Sequence, residues 1–293
     1  MKSYEIKFGV DIWEEGSYDR FVKYVLAVEK YGFDSVWAAE AHELDILVKL
    51  TVVAAKTNRV KLGTVVLVPA LRYPFMLAKT VTSLDIVSKG RLILGVGCSD
   101  QPSIEKRGVP SDKPVSRMLE SIRILKELWT KDSVTFKGQF YQINYSLPLK
   151  PVQKPHPPIW IGAYSPRMLR ITAELGDGWF GDGPRERYGE TLAKIRRMAE
   201  KAGRNPSEIV PARLEFTSIA DDHETAVSFT KGREYILESG ICGNPEEYIE
   251  NIEKLVKSGA RYFILAFSAP NEKAYLDSLR LCAEKVISYF RDG

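Results

Sequence analysis

The chain repeats one unit along its length: a short β-branched run, a polar loop, an amphipathic helix and then a glycine before the next run. Parallel strands need a crossover connection, usually a helix, so this alternation predicts a parallel sheet. The predicted strands are 6–12, 35–39, 60–68, 91–97, 159–162, 178–180, 209–219 and 262–266. The predicted helices include 45–57, 73–88, 113–130, 166–175, 184–202, 222–239 and 271–290. Another helix is predicted to begin at the Asn244 cap, where a proline and a glutamate follow in the first turn, and to end at Gly259.

Eight such units in 293 residues favour a (β/α)8 TIM barrel over a doubly wound open sheet, although periodicity alone does not establish closure. Residues 98–158 do not follow the strand–helix repeat. They contain a predicted hairpin near Lys137-Gly138 and five prolines between Pro148 and Pro158. We interpret this stretch as an insertion, or lid, after strand four. The sequence therefore predicts one domain over residues 1–293.

Composition excludes several classes of protein. Forty-two basic and thirty-eight acidic side chains leave a net charge of +4, which is too small and too dispersed to indicate nucleic-acid binding. The longest apolar run, 64–71, is much shorter than a membrane span, and residues 1–9 lack a signal-peptide core. Three widely spaced cysteines without CxxC spacing support neither a disulfide framework nor a zinc site. We expect a cytoplasmic protein that binds a small molecule and neither nucleic acid nor membrane.

In a closed barrel, chemistry lies at the carboxyl ends of the strands. The residues predicted there are Asp11, Glu40, His42, Val65, Val66, Cys98, Asp100, Gly162, Ala163, Tyr164, Ser165, Gly181, Asp182 and Ser268. Segment 159–181 is the most informative, because a strand runs through a small-residue loop into a Ser-Pro helix start. Outward amides at that helix end, with Arg167 or Arg170 nearby, would form a phosphate or carboxylate site. The alternative is an ordinary βα loop in which Ser165 is only the helix cap.

Segment 60–97 and its downstream partners resemble the bacterial luciferase-like superfamily of flavin- and deazaflavin-dependent barrel enzymes. The resemblance covers most of the chain, and its motifs keep their order and spacing. They are Leu62-Gly63-Thr64, Arg72-Tyr73-Pro74, Leu84-Asp85, Ser88-Lys89-Gly90-Arg91, Gly95-Val96-Gly97, Pro157-Pro158-Ile159-Trp160-Ile161-Gly162-Ala163 and Gly176-Asp177-Gly178-Trp179. The short chain and the IGA-x-SP loop are more similar to the F420-dependent reductases, the methylenetetrahydromethanopterin reductase group, than to the longer luciferases.

The resemblance implies a binding mode for coenzyme F420, with FMN as the alternative cofactor. It implies a non-prolyl cis peptide at Val65-Val66 that backs the ring, and a phosphate site on Gly162, Ala163, Tyr164 and Ser165. Many relatives have glycines where this chain has Tyr164 and Ser165. The resemblance also implies a homodimer.

For the reacting groups, the resemblance aligns Glu40 and His42 with an acidic residue and a histidine that contact cofactor and substrate. This chain has Ala41 where luciferases and many F420-dependent sugar dehydrogenases carry their catalytic histidine. Proton abstraction by that histidine is therefore not expected here, unless His42 replaces it. Asp11 matches an acidic position of the reductase group, and Asp100 follows strand four in a similar setting. Carboxylates around one barrel mouth could supply a proton donor, or could be solvated loop acids.

We assign Glu40, His42 and Asp100 to catalysis or ring anchoring, and Asp11 and Cys98 to the cofactor pocket. A small buried hydrophobe is the alternative for Cys98. No metal-ligand spacing is present, so no metal is expected. The resemblance implies hydride transfer between F420 and a small organic substrate. The alternatives are an FMN-dependent monooxygenase and a non-catalytic flavin-binding protein.

Overall fold

Eight parallel strands close into a barrel in the computed structural model, which describes residues 5–13, 16–40, 44–99, 101–110, 112–181 and 183–292. In order around the barrel these strands are β1 (Lys7–Asp11), β2 (Ser35–Ala38), β3 (Lys61–Thr64), β4 (Leu92–Val96), β7 (Ile159–Gly162), β8 (Gly178–Phe180), β9 (Val210–Ile219) and β11 (Tyr262–Phe267). Pairing of β11 with β1 closes the ring, with Lys7 opposite Tyr262. The TIM barrel predicted from the repeat is thus confirmed.

Helices cover the outside of the barrel. They are α1 (Tyr18–Lys30), α2 (Ile46–Lys56), α3 (Pro74–Val87), α4 (Gln101–Glu105), α5 (Pro114–Thr130), α6 (Pro166–Leu175), α7 (Tyr188–Lys201), α8 (His223–Ser228), α9 (Tyr235–Ser239), α10 (Pro245–Lys257), α11 (Glu272–Leu281) and α12 (Ser288–Asp292). Short 3₁₀ turns occur at Pro69–Leu71, Arg185–Arg187 and Pro206–Glu208, and Cys282–Ile287 is a π-helical turn between α11 and α12. None of the described helices combines the length and apolar character needed to cross a bilayer.

The barrel interior is filled by large aromatic rings. Trp37 on β2 is fully buried, and its ring centroid lies 5.3 Å from that of Trp160 on β7. A Cβ at Gly9 or Gly63, on the two strands beside β2, would overlap the Trp37 indole, so both positions require glycine. Phe180 and Tyr262 complete this group, which separates the two mouths of the barrel.

Part of the predicted insertion belongs to the helical layer. Helix α5 packs on α3, and the Trp129 indole N–H donates to the carbonyl of Ala78 at 3.2 Å. The hairpin expected near Lys137-Gly138 is present as β5 (Val134–Lys137) and β6 (Gln142–Tyr145). The segment that exceeds the repeating strand–helix unit is therefore shorter than residues 98–158. Its role as a lid stays a prediction.

One local prediction is wrong, and one strand was not predicted. The helix predicted over 222–239 is divided into α8 and α9, and the intervening Gly232 has a φ of 77°, which does not continue a right-handed helix. A ninth strand, β10 (Ile241–Gly243), pairs with the end of β9 and was not predicted. Three residues are too few to show a periodic pattern, so the sequence carries little signal for this strand.

Candidate functional site

Asp11 ends β1 inside the carboxyl mouth of the barrel. Its side chain is 1% exposed; Oδ2 accepts a hydrogen bond from the Trp13 indole N–H, while Oδ1 has no partner among the described residues. Burial raises the pKa of Asp11 to about 7, against smaller lowering effects of the Trp13 hydrogen bond and the Lys49 charge. A buried carboxylic acid that titrates near neutrality can hold and release a proton there.

Trp13 forms an aromatic wall beside Asp11. Its side chain is 54% exposed, although its indole N–H donates a hydrogen bond to the buried carboxyl group of Asp11. Its ring meets Phe216 of β9 edge-on at 5.8 Å, and Phe216 meets Tyr235 edge-on at 5.2 Å. This wall was not predicted. The sequence does carry a signal for it: side chains two residues apart in an extended segment lie on the same face, as Asp11 and Trp13 do.

Glu40 is held by an arginine at the end of β2. Arg72 donates from Nη1 to Oε2 at 2.7 Å and from Nη2 to Oε1 at 3.0 Å, and also reaches Asp45 at 2.8 Å. The Val68 amide donates to Glu40 Oε2 at 3.3 Å. Because both oxygens are engaged in a bidentate ion pair, this geometry favours an anchoring role for Glu40 over proton delivery. The role of Arg72 was not predicted, since nothing local in the sequence indicates a partner 32 residues away.

The other two residues assigned to catalysis, His42 and Asp100, lie outside the described residues, as does Ala41. Their assignment stays a prediction.

Val66 lies where three strand ends meet. The peptide bond between Val65 and Val66 is cis, and β3 ends immediately before it, at Thr64. A Cβ at Gly97, after β4, would lie 2.6 Å from Val66 Cγ2, and one at Gly162, at the end of β7, would lie 3.3 Å from Val66 Cγ1. The missing side chains at these two glycines leave room for the valine between neighbouring strand ends.

The β7–α6 loop is built to present amides. Ser165 caps α6, accepting from the Met168 amide at 3.4 Å, and the carbonyl of Ala163 is occupied by the Trp179 indole N–H at 3.0 Å. Pro166 at the first helical position has no N–H, and the amide of Arg167 finds no acceptor within the described parts of the chain. Tyr164 is 57% exposed. An anion near this loop would meet an amide and the positive end of a ten-residue helix.

Comparison with known proteins identifies the family. Residues 5–239 match the luciferase-like monooxygenase family. The chain belongs to this family. The 5,10-methylenetetrahydromethanopterin reductase of Archaeoglobus fulgidus is 28% identical, with 96% of this chain and 99% of that protein aligned. The F420-dependent glucose-6-phosphate dehydrogenase of Amycolatopsis mediterranei is 31% identical over 88% of this chain and 85% of its own length.

Solved structures agree on the fold. The coenzyme F420-dependent tetrahydromethanopterin reductase from Methanopyrus kandleri superposes with a TM-score of 0.86 at 21% identity, covering 98% of this chain and 99% of that one. The family match and the similarity to the reductase of Archaeoglobus fulgidus place this luciferase-like protein among oxidoreductases.

The structure of this luciferase-like protein brings most of the assigned residues to one end of the barrel. Asp11 and Gly162 are the last residues of β1 and β7, while Glu40 and Val66 come shortly after β2 and β3. The carboxyl ends of these strands face the same mouth because the strands are parallel. A Cβ at Gly162 would lie against Val66, and the carboxylate of Glu40 accepts from the Val68 amide in the loop after β3. Sequence reasoning therefore located the mouth but not its aromatic wall.

Cys98 faces the helical layer rather than a charged pocket. Its sulfur lies 3.6 Å from Met118 Sδ and 3.8 Å from Met168 Sδ. Burial raises the pKa of its thiol to about 11, with a smaller opposing effect of Arg167. This environment supports the alternative of a small hydrophobe that lines the outer core.

We expect Cys98 to react slowly with iodoacetamide. At pH 8 a thiol whose pKa is about 11 is almost wholly protonated, and the thiolate is the nucleophile. Alkylation of Cys98 in the folded protein, followed by peptide mass spectrometry, should be at least about tenfold slower than in urea. Equal rates in the two states would contradict the partly buried placement of Cys98 beside the two methionines.

Proposed function

We propose that this protein transfers a hydride between coenzyme F420 and a small organic substrate. The observation that carries the proposal is the meeting of three features at one barrel mouth: the buried acid Asp11, Val66 beside Gly97 and Gly162, and the loop after β7 with a backbone amide that has no acceptor among the described residues. Two of the relatives named above are F420-dependent by their names, which supports the choice of cofactor.

The described residues fit such a cofactor. Val66, pressed between Gly97 and Gly162, would back the planar ring, and the 162–165 loop would bind its phosphate through backbone amides. When bound, the deazaflavin would supply or accept the hydride. Oδ1 of Asp11 has no hydrogen-bond partner among the described atoms, so it is available to a ligand.

The protein's own contribution would be orientation and proton supply. Trp13 and Phe216 would wall the substrate side and exclude water, while the protonated Asp11 would deliver a proton to an oxygen or nitrogen that becomes basic as hydride arrives. Glu40, fixed by Arg72, would order the loop after β3 on which Val68 lies.

One alternative has specific support: FMN-dependent oxygenation, since the matching family is described by its monooxygenases. A homodimer, a single domain and the roles of His42 and Asp100 remain predictions within this proposal.

Separate titrations of the purified protein with F420 and FMN would test the cofactor. We expect F420 to bind at least about tenfold more tightly. We also expect the bound oxidised cofactor to be reduced by a small alcohol, or the bound reduced cofactor to be oxidised by a small imine or enone. Tighter FMN binding with NADH-dependent oxygen uptake would support the monooxygenase instead. Binding without turnover of any acceptor would indicate a flavin-binding protein.

A further inference from the structure

A second cavity lies at the opposite, amino-terminal mouth of the barrel. It has a volume of about 800 Å³ and is lined by residues at the starts of strands, including Lys7, Lys61 and Tyr262. TIM-barrel chemistry occurs at the carboxyl mouth, and barrel interiors are normally filled by side chains. A space of this size falls within the range of small-molecule sites, roughly 300–1,000 Å³.

The floor of this cavity is apolar and aromatic. It is lined by three buried residues, Trp160, Tyr262 and Ile93. Trp160 and Tyr262 meet edge-on at 4.9 Å, and Trp37 behind them closes the path to the other mouth. A ligand on this floor would therefore contact ring faces and edges without reaching the Asp11 site.

The rim carries more positive than negative charge. Its cations are Lys7, Arg59, Lys61, Arg196 and Arg261, and its acids are Glu5 and Asp34. Both acids pair with Lys7, and Asp34 also pairs with Arg291.

Among the described residues, the remaining rim cations have no carboxylate within ion-pair distance. Arg59 donates to the carbonyls of Phe33 and Glu29, and Arg261 donates to those of Val256 and Ala260. Lys61 and Arg196 are exposed and have no carboxylate within ion-pair distance in the part of the chain that the structure describes.

We propose that this amino-terminal cavity binds a small amphipathic anion, with an aromatic body on the Trp160–Tyr262 floor and a carboxylate or sulfonate head toward Lys61 and Arg196. Burial of the aromatic body supplies affinity, and the unpaired cations at the rim select the charge of the head. An organic cation of the same shape would be repelled by the net positive charge of the rim. The site is independent of the function proposed for the opposite mouth.

The fluorescent probe 8-anilinonaphthalene-1-sulfonate, an aromatic sulfonate, tests this assignment in the full-length protein. We expect saturable binding to the folded protein, accompanied by quenching of tryptophan fluorescence as the probe covers Trp160. The double variant Lys61→Glu/Arg196→Glu should bind at least about tenfold more weakly, because two attractive charges become repulsive. Ser207→Glu, at an exposed position on the same rim, should weaken binding in the same direction.

The matched control is Lys194→Glu/Lys231→Glu, which makes the same change in net charge at exposed positions that do not line the cavity. It should keep wild-type affinity, and circular dichroism should show that all variants are folded. Absence of saturable binding to the wild type would overturn the proposal. Equal loss in the rim and control variants would also overturn it, since the probe would then be responding only to net charge.

Discussion

Replacing Asp11 with asparagine should lower turnover by about 100-fold and, at pH 8, make the protein more stable. Asparagine keeps the size of the side chain and can still accept from the Trp13 indole N–H, but it has no proton to deliver. Loss of a positioned general acid costs about 10² to 10⁴ in rate. For the wild type, kcat/KM for reduction of the substrate should fall as the pH rises through about 7, where Asp11 loses its proton.

The sign of the stability effect follows from linkage. The pKa of Asp11 is raised from its ordinary value of 3.8 to about 7 in the folded protein, so the folded state binds the proton more tightly than the unfolded chain. The stability that this proton provides is fully present below pH 3.8 and is lost as the pH rises to about 7. Up to about 4 kcal/mol is involved. The asparagine variant should lack this pH dependence.

Urea unfolding at pH 5 and pH 8 measures the effect, with activity followed on the same samples. Asp132→Asn, in an exposed loop position, is the control, and both its stability and its turnover should match the wild type. If Asp11→Asn keeps full turnover, Asp11 is not the proton donor. If its free energy of unfolding changes with pH as the wild-type value does, the raised pKa is wrong.

The positions of the strands could be predicted from local sequence, whereas the contacts within the site could not. Glycine at the end of each unit and the apolar runs located the eight barrel strands, because these signals act over a few residues. The bidentate pair of Arg72 with Glu40 joins residues 32 apart and has no local signature. The same reason explains the missed contact of Trp13 with Phe216, which depends on closure of the barrel.

Long-range contacts also determine the structure of the segment that was predicted wrongly and of the strand that was not predicted. Residues 222–239 have apolar residues at helical spacing, yet Gly232 interrupts them with a positive φ, and Ile241 then pairs with Thr217 on β9. A local helical pattern cannot report that a sheet edge is available for a further strand. The Cys98 environment likewise depends on Met118 and Met168, which come from two different helices.

Gly162→Asp should weaken cofactor binding by at least about 100-fold while leaving the protein folded. The new Cβ would lie 3.3 Å from Val66 Cγ1 and 3.7 Å from the carbonyl oxygen of Val96, so the backbone can accept a side chain with a small adjustment. The carboxylate would stand before the amino end of α6, where a negative charge stabilises the helix. The same charge would occupy the place proposed for the cofactor phosphate and repel it.

Two controls separate the steric from the electrostatic effect. Gly162→Ala introduces the same Cβ without charge and should cost no more than about tenfold in affinity, because a contact of 3.3 Å with Val66 Cγ1 requires only a small shift of the valine. Ser207→Asp places a carboxylate at the other mouth of the barrel and should leave F420 affinity unchanged. Fluorescence titration with F420, alongside thermal unfolding of each variant, gives both quantities. Wild-type affinity in Gly162→Asp would place the phosphate elsewhere, and an equal loss in Gly162→Ala would mean that the fit against Val66, rather than charge at the helix end, controls binding.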